Sequence, residues 1–207
     1  MVSRAKVPRT PPAVLTRDEA DLLDVRPMLW RVHRTSGEHV LAWNALRTWG
    51  PLPSMRFDPH SEPLGDHPGD GVAYAATDLP TALAEVFQST RLIDTTSFAP
   101  RATAWQPTRP LRLLRLDDTW ALRNGAANAL TSAPRGVCRA WAGAIRAAWP
   151  ELDGLWTTST MTGRPTVVLW APAADSFPSR PVFSRSLNSE LRAVISGLAP
   201  GLGFDVC

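Results

Sequence analysis

Cysteine is almost absent from this chain of 207 residues: Cys138 and Cys207 are the only two. Two thiols build neither a disulfide framework nor a four-thiolate zinc site, and they fit a reducing compartment. Lysine is scarcer still, with Lys6 alone, so the formal charge of +3 and the isoelectric point near 9.5 come from arginine. No run of Arg and Lys exceeds two residues, which removes the basic tract that nucleic-acid binding would need. No stretch approaches the roughly 18 uninterrupted apolar residues of a membrane span, and the first residues lack the apolar core of a secretory signal. The expectation is a cytoplasmic protein without membrane or nucleic-acid partners. GxxxxGK[ST], HExxH, GxSxG and CxxC are all missing. His33, His39, His60 and His67 follow no usual metal spacing, so they are read as surface or loop histidines and no metal is expected.

What the chain does contain suits one core. A hydrophobic content of 44% over this length predicts a single domain over residues 16–207. Residues 1–15, with Pro8, Pro11 and Pro12, read as a loosely attached tail outside the core. Thr16 followed by acidic residues predicts a short helix to Leu23. Strands are expected at Met28–His33, Ser54–Asp58, Val72–Ala76, Ala102–Trp105 and Leu111–Leu116. The stretch from His39 to Trp49 is undecided, and the Pro-, Gly-, Asp- and His-rich run 59–71 reads as a surface loop. Asp78 caps a helix whose apolar residues are Leu79, Leu83, Val86 and Phe87, with Pro80 in its first turn. A second helix spans Gly136–Trp149, a hairpin joins 154–158 to 166–170 around MTGRP, and a closing helix covers Asn188–Ile195. Short strands with few helices, and no glycine fingerprint after any strand, give an α+β fold rather than a doubly wound one.

Four blocks follow in order: LWRVH with Arg31, MRFDPH with Arg56, GVAYAATDLPTALAEVF with Tyr74 and Glu85, and CRAWAGAIRAAWPELDGLWTTST ending in Ser159. Together they resemble the RES domain, a family named for arginine, glutamate and serine, over roughly residues 28–172. The resemblance implies an ADP-ribosyltransferase-like fold and cleavage of the nicotinamide–ribose bond of NAD, with water or phosphate as acceptor. It also implies a toxin held by an Xre-like antitoxin, with ADP-ribosyl transfer as the neighbouring chemistry. A non-catalytic nucleotide-binding module on the same scaffold is the rival from another class. By the resemblance, Arg31 and Arg56 clamp the dinucleotide, Tyr74 contacts a ring or ribose, and Glu85, Arg31 and Ser159 are the catalytic set. A guanidinium offers paired donors that match pyrophosphate oxygens, and a fixed carboxylate stabilises the positive charge that develops on ribose as nicotinamide leaves.

Spacing alone supports blander readings of the same residues. Glu85 lies off the apolar face as a solvated glutamate, Arg31 is a structural ion-pair partner, and Tyr74 is a core aromatic. Ser132, before the helix at 136–149, is the alternative to Ser159. The second block departs from the family's GGRWN pattern, with Phe57 for tryptophan and Asp58 for asparagine. Nine tryptophans are scattered along the chain; most read as packing, with Trp43 or Trp49 as a cover for adenine.

Overall fold

A computed structural model describes residues 6–207. Twelve strands and four α-helices follow in chain order: β1 (Leu22–Val25), β2 (Leu29–His33), β3 (Trp49–Gly50), β4 (Gly65–Asp66), β5 (Val72–Ala76), α1 (Leu79–Val86), β6 (Leu92–Ile93), β7 (Arg101–Trp105), β8 (Leu111–Arg115), α2 (Trp120–Arg123), α3 (Arg135–Ala148), β9 (Gly154–Thr158), β10 (Pro165–Trp170), β11 (Phe183–Ser186), α4 (Arg192–Leu202) and β12 (Asp205–Val206). Eight of the strands form one mixed sheet in the order β1-β8-β9-β10-β5-β2-β7-β11. Within that sheet only β8 and β9 run parallel, because α3 provides the crossover between them. This is an α+β arrangement.

Strand alternation divides the core between the two faces of the sheet. On one face Leu114, Leu155, Val168 and Trp170 pack with Trp141 and Ile145 of α3. Beside them Val32 and Ala102 pack with Leu79, Leu83 and Ile195. On the other face Leu29, Ala73, Trp105 and Leu169 lie under irregular chain that includes Trp43 and Phe177. At Gly154 β9 approaches β10 so closely that a Cβ would sit 1.8 Å from the Val168 carbonyl oxygen. Only glycine permits that approach.

The sheet is split at its centre. Strands β2 and β5 pair at one position, Trp30 opposite Ala76. The start of β5 is paired instead with Arg47, whose N–H donates to the Val72 carbonyl at 2.8 Å and whose carbonyl accepts from the Val72 N–H at 2.9 Å. The undecided segment 39–49 is therefore a wedge between two strands.

Four sequence expectations need correction. Residues 16–23 do not form a helix: a 3-10 turn at Glu19–Asp21 gives way to β1, whose Leu22 and Val25 gain partners in Leu114 and Leu111. Ser54–Asp58 is not a strand, because the Asp58 side chain accepts from the Leu52 N–H at 2.8 Å and holds the chain in turns. The closing helix begins later, at Arg192, and continues through Pro200 to a left-handed Gly203. The tail is also tied down: Val7 and Leu15 pack on the α3 side of the core, and Trp141 Nε1 donates to the Pro8 carbonyl at 3.0 Å. Its first five residues lie outside the described ones.

Candidate active site

Helix α1 begins where Asp78 accepts from the Thr81 N–H at 2.8 Å, with Pro80 in the first turn. Its buried face runs through Leu79, Ala82 and Leu83, while Val86 is 49% exposed. The apolar stripe is thus rotated away from Val86 toward Ala82, which brings half-buried Glu85 to the border of the core. Across from it, β9 ends at Thr158, and the turn to β10 begins with buried Ser159. Ser159 Oγ donates to Glu85 Oε1 at 2.5 Å and accepts from the Met161 and Thr162 N–H groups, each at 3.1 Å.

The backbone donors fix the hydroxyl, and the hydroxyl fixes the carboxylate. The Gln88 side chain reaches Glu85 Oε2 more weakly at 3.4 Å. No ion pair among the described residues involves Glu85, so its neighbours are neutral donors. Ser132, by contrast, is exposed and donates to the Ala129 carbonyl at 3.1 Å. A cavity of about 620 Å³ lies against the same helix and turn, lined by Thr81, Ala84, Arg91, Thr160, Met161 and Thr162 among others.

Arg31 sits beside the sheet's split, on the face of Leu29 rather than that of α1. Its Nη1 donates to the carbonyls of Trp43 and Ala45, each at 3.0 Å. No carboxylate among the described residues pairs with it, so the ion-pair reading is set aside. Burial, and then the nearby Arg47 guanidinium, bring its pKa down to about 10. It stays charged at neutral pH. Burial and the same Arg31 charge hold His33 down at about 4, hence neutral, with Nε2 3.0 Å from Thr103 Oγ1.

Arg56 faces elsewhere, donating from Nη1 to the Ala133 carbonyl at 2.6 Å beside the Cys138 thiol. Tyr74 donates its hydroxyl proton to Asp58 Oδ1 at 2.7 Å and accepts from the Phe57 N–H at 3.2 Å. Asp58 itself is fully buried and receives Arg47 Nη2 at 2.7 Å and the Leu52 N–H. Burial raises its pKa, but the neighbouring His60 ring and the hydrogen bonds from the Leu52 N–H and Arg47 outweigh that and hold it at about 2. Burial and the Asp58 charge push Tyr74 well above its ordinary range, so the phenol keeps its proton.

The structure therefore joins Glu85 to Ser159, and Tyr74 to Arg47 through Asp58. No hydrogen bond or ion pair among the described residues links Arg31 or Arg56 to either set. Sequence reading missed Arg47, hidden in the undecided wedge, and took Asp58 only as a departure from a pattern. Of the four histidines read as surface or loop residues, His60 lies in a loop but its ring is buried, 3.8 Å from Asp58, while His39 is exposed. Trp43 packs on Trp105 and Phe177 at 5.6 and 6.1 Å and is a core aromatic, whereas Trp49 is 52% exposed. Among the described residues no three His, Cys, Asp or Glu side chains are grouped to hold a metal ion, and no helix is long and apolar enough to cross a membrane.

A mixed sheet flanked by a few helices, with a carboxylate–hydroxyl pair at one edge of α1, defines an α+β protein with a candidate catalytic corner. The RES domain family model matches residues 28–189, and the chain belongs to that family. Its fold is similar to that of a chain in the crystal structure of the M. tuberculosis MbcT–MbcA toxin–antitoxin complex, with a TM-score of 0.60 at 17% identity. The likeness covers 88% of this chain and 94% of that one. No curated protein matches the sequence significantly.

Proposed function

We propose that this protein cleaves the nicotinamide–ribose bond of NAD, as a glycohydrolase or phosphorylase, and acts as the toxin of a toxin–antitoxin pair. The observation that carries the reading is the 2.5 Å contact of Ser159 with Glu85, a carboxylate that forms no ion pair among the described residues. As nicotinamide leaves with the electron pair of the C–N bond, the ribose carbon becomes electron-deficient. A fixed carboxylate stabilises that state more than the ground state. Ser159 sets the orientation of Glu85, and water or phosphate oxygen then bonds to the carbon and loses its proton. Nicotinamide needs no protonation to depart, so one carboxylate suffices where glycosidases use two.

Arg31 and Arg56 are the clamps of the pyrophosphate. Both are held by backbone carbonyls and neither has a carboxylate partner among the described residues, which leaves their charge available to an anion. Tyr74, its hydroxyl committed to Asp58, contributes its ring and braces the second arginine block. Membership in the RES family and the fold shared with a toxin–antitoxin component support a toxin role in the cytoplasm and an Xre-like antitoxin partner.

The test is the fate of NAD with purified protein, with and without phosphate, read by nicotinamide release and phosphorus NMR beside Glu85→Gln. Consumption by the parent alone is expected. A phosphate-dependent sugar phosphate selects phosphorolysis, and intact NAD throughout rejects the reading.

A further inference from the structure

The wedge that splits the sheet carries a second set of polar and aromatic groups, outside the Glu85 corner. Arg47 is anchored through both backbone groups to Val72. Its Nη2 is held by Asp58 at 2.7 Å and its Nη1 donates to the Trp49 carbonyl. Those two bonds commit two of the guanidinium's five N–H groups and leave three. The side chain keeps 16% of its surface exposed.

Residues 47 and 49 are two apart in extended chain, which directs them to the same side. Trp49 stands out there: Trp105, Trp120, Trp141 and Trp170 are wholly buried, whereas Trp49 is 52% exposed on the two-stranded ribbon β3–β4. An exposed indole next to an oriented guanidinium is the pairing that reads a flat base and its phosphate. Asp58 offsets the Arg47 guanidinium and Asp66 stands opposite Trp49 in the ribbon, so the uncompensated positive charge nearby is that of Arg31, which has no carboxylate partner among the described residues.

We propose that Arg47 and Trp49, held in place by Asp58, form a recognition arm for a purine nucleoside diphosphate: Arg47 takes a diphosphate oxygen beside Arg31 and Trp49 stacks on the base. Asp58 is a positioning residue that acts through Arg47. The inference rests on the NAD reading for its choice of ligand, since ADP is one half of NAD, but its test stands apart from cleavage.

The experiment is calorimetric titration of the full chain with ADP and, separately, with inorganic pyrophosphate. Trp49→Ala is expected to weaken ADP about tenfold with pyrophosphate unchanged, and Trp49→Phe to restore most of the loss. Arg47→Gln is expected to weaken both ligands about tenfold, with Arg47→Lys intermediate because it keeps charge without the fork. In an Asp58→Asn background the further effect of Arg47→Gln shrinks, a coupling that a purely structural role for Asp58 would not produce.

ADP affinity equal in the parent, Trp49→Ala and Arg47→Gln overturns the arm, as does failure of the parent to bind ADP. An Arg47→Gln effect that stays undiminished in the Asp58→Asn background overturns the positioning role of Asp58. If ADP binding depends on both residues while NAD stays intact, the arm stands and cleavage fails; NAD consumed at unchanged KM in both variants keeps cleavage and removes the arm.

Discussion

Glu85 and Asp58 are both carboxylates at the border of the same sheet, yet their surroundings are opposite. Asp58 is fully buried, receives a guanidinium, a backbone N–H and a phenol, and sits at about 2. Glu85 is half-buried and meets a serine hydroxyl and a glutamine amide, with no ion pair among the described residues. A carboxylate whose charge is already neutralised has nothing left to offer a forming cation, so Asp58 organises its loop. One held in place by neutral donors keeps its field for the proposed reaction. Charge compensation, rather than burial alone, separates the two.

The largest expected contrast is between their substitutions. Glu85→Gln should lower NAD turnover on the order of 10²–10³-fold, with little change in the urea midpoint. Asp58→Ala should cost about 3 kcal/mol or more of stability by leaving Arg47 without its partner. Urea unfolding and nicotinamide release on both variants would erase the distinction if Asp58→Ala proved as stable as the parent.

Next in size is the serine. Removing a hydrogen bond to a charged group is worth about 1.5–3 kcal/mol, so Ser159→Ala should slow turnover roughly 10- to 100-fold. Ser132→Ala should match the parent, because its hydroxyl only turns back on its own 3-10 helix. Equal effects at the two serines would detach Ser159 from the chemistry.

The acid limb of stability sharpens the comparison further. The folded pKa of Asp58 lies below the unfolded value, so its contribution is complete above about pH 4 and is lost as pH falls toward 2. The loss should amount to about 2 kcal/mol, seen as a steeper acid decline in unfolding free energy that Asp58→Asn flattens. A second contribution to the same limb belongs to His33. Its pKa is also lowered in the fold, so stability is present above about pH 6.5 and declines as pH falls toward 4. His33→Gln should remove that slope, and an unchanged slope would mean that the ring is not held neutral beside Arg31.

Much of the scaffold was legible in sequence where pattern and punctuation agreed. Strands β2, β5, β7 and β8, helices α1 and α3 and the hairpin β9–β10 all lie within a residue or two of their expected bounds. Each carries its own signal: β-branched or aromatic runs, Asp78 as a cap, Pro150 as a stop. Legibility failed where partners distant in sequence decide. Leu22–Val25 becomes a strand because β8 offers an edge, and 54–58 loses strand form to a carboxylate that bonds its own loop. The periodicity of α1 pointed to Val86 as buried, but packing against β2 and β5 favours Ala82 and so turns Glu85 inward.

By itself, then, the sequence determined the α+β class and carried the blocks that resemble the family, because local propensity and motif order are written in neighbouring residues. Only the tertiary structure decided which of those residues meet. Ser159 touches Glu85 across 74 positions, Arg56 reaches Ala133 across 77, and Arg47 meets the buried Asp58 from a stretch with no periodic signal. Hydrogen bonds between residues that far apart depend on how the strands are ordered in the sheet, and no short window of sequence contains that order.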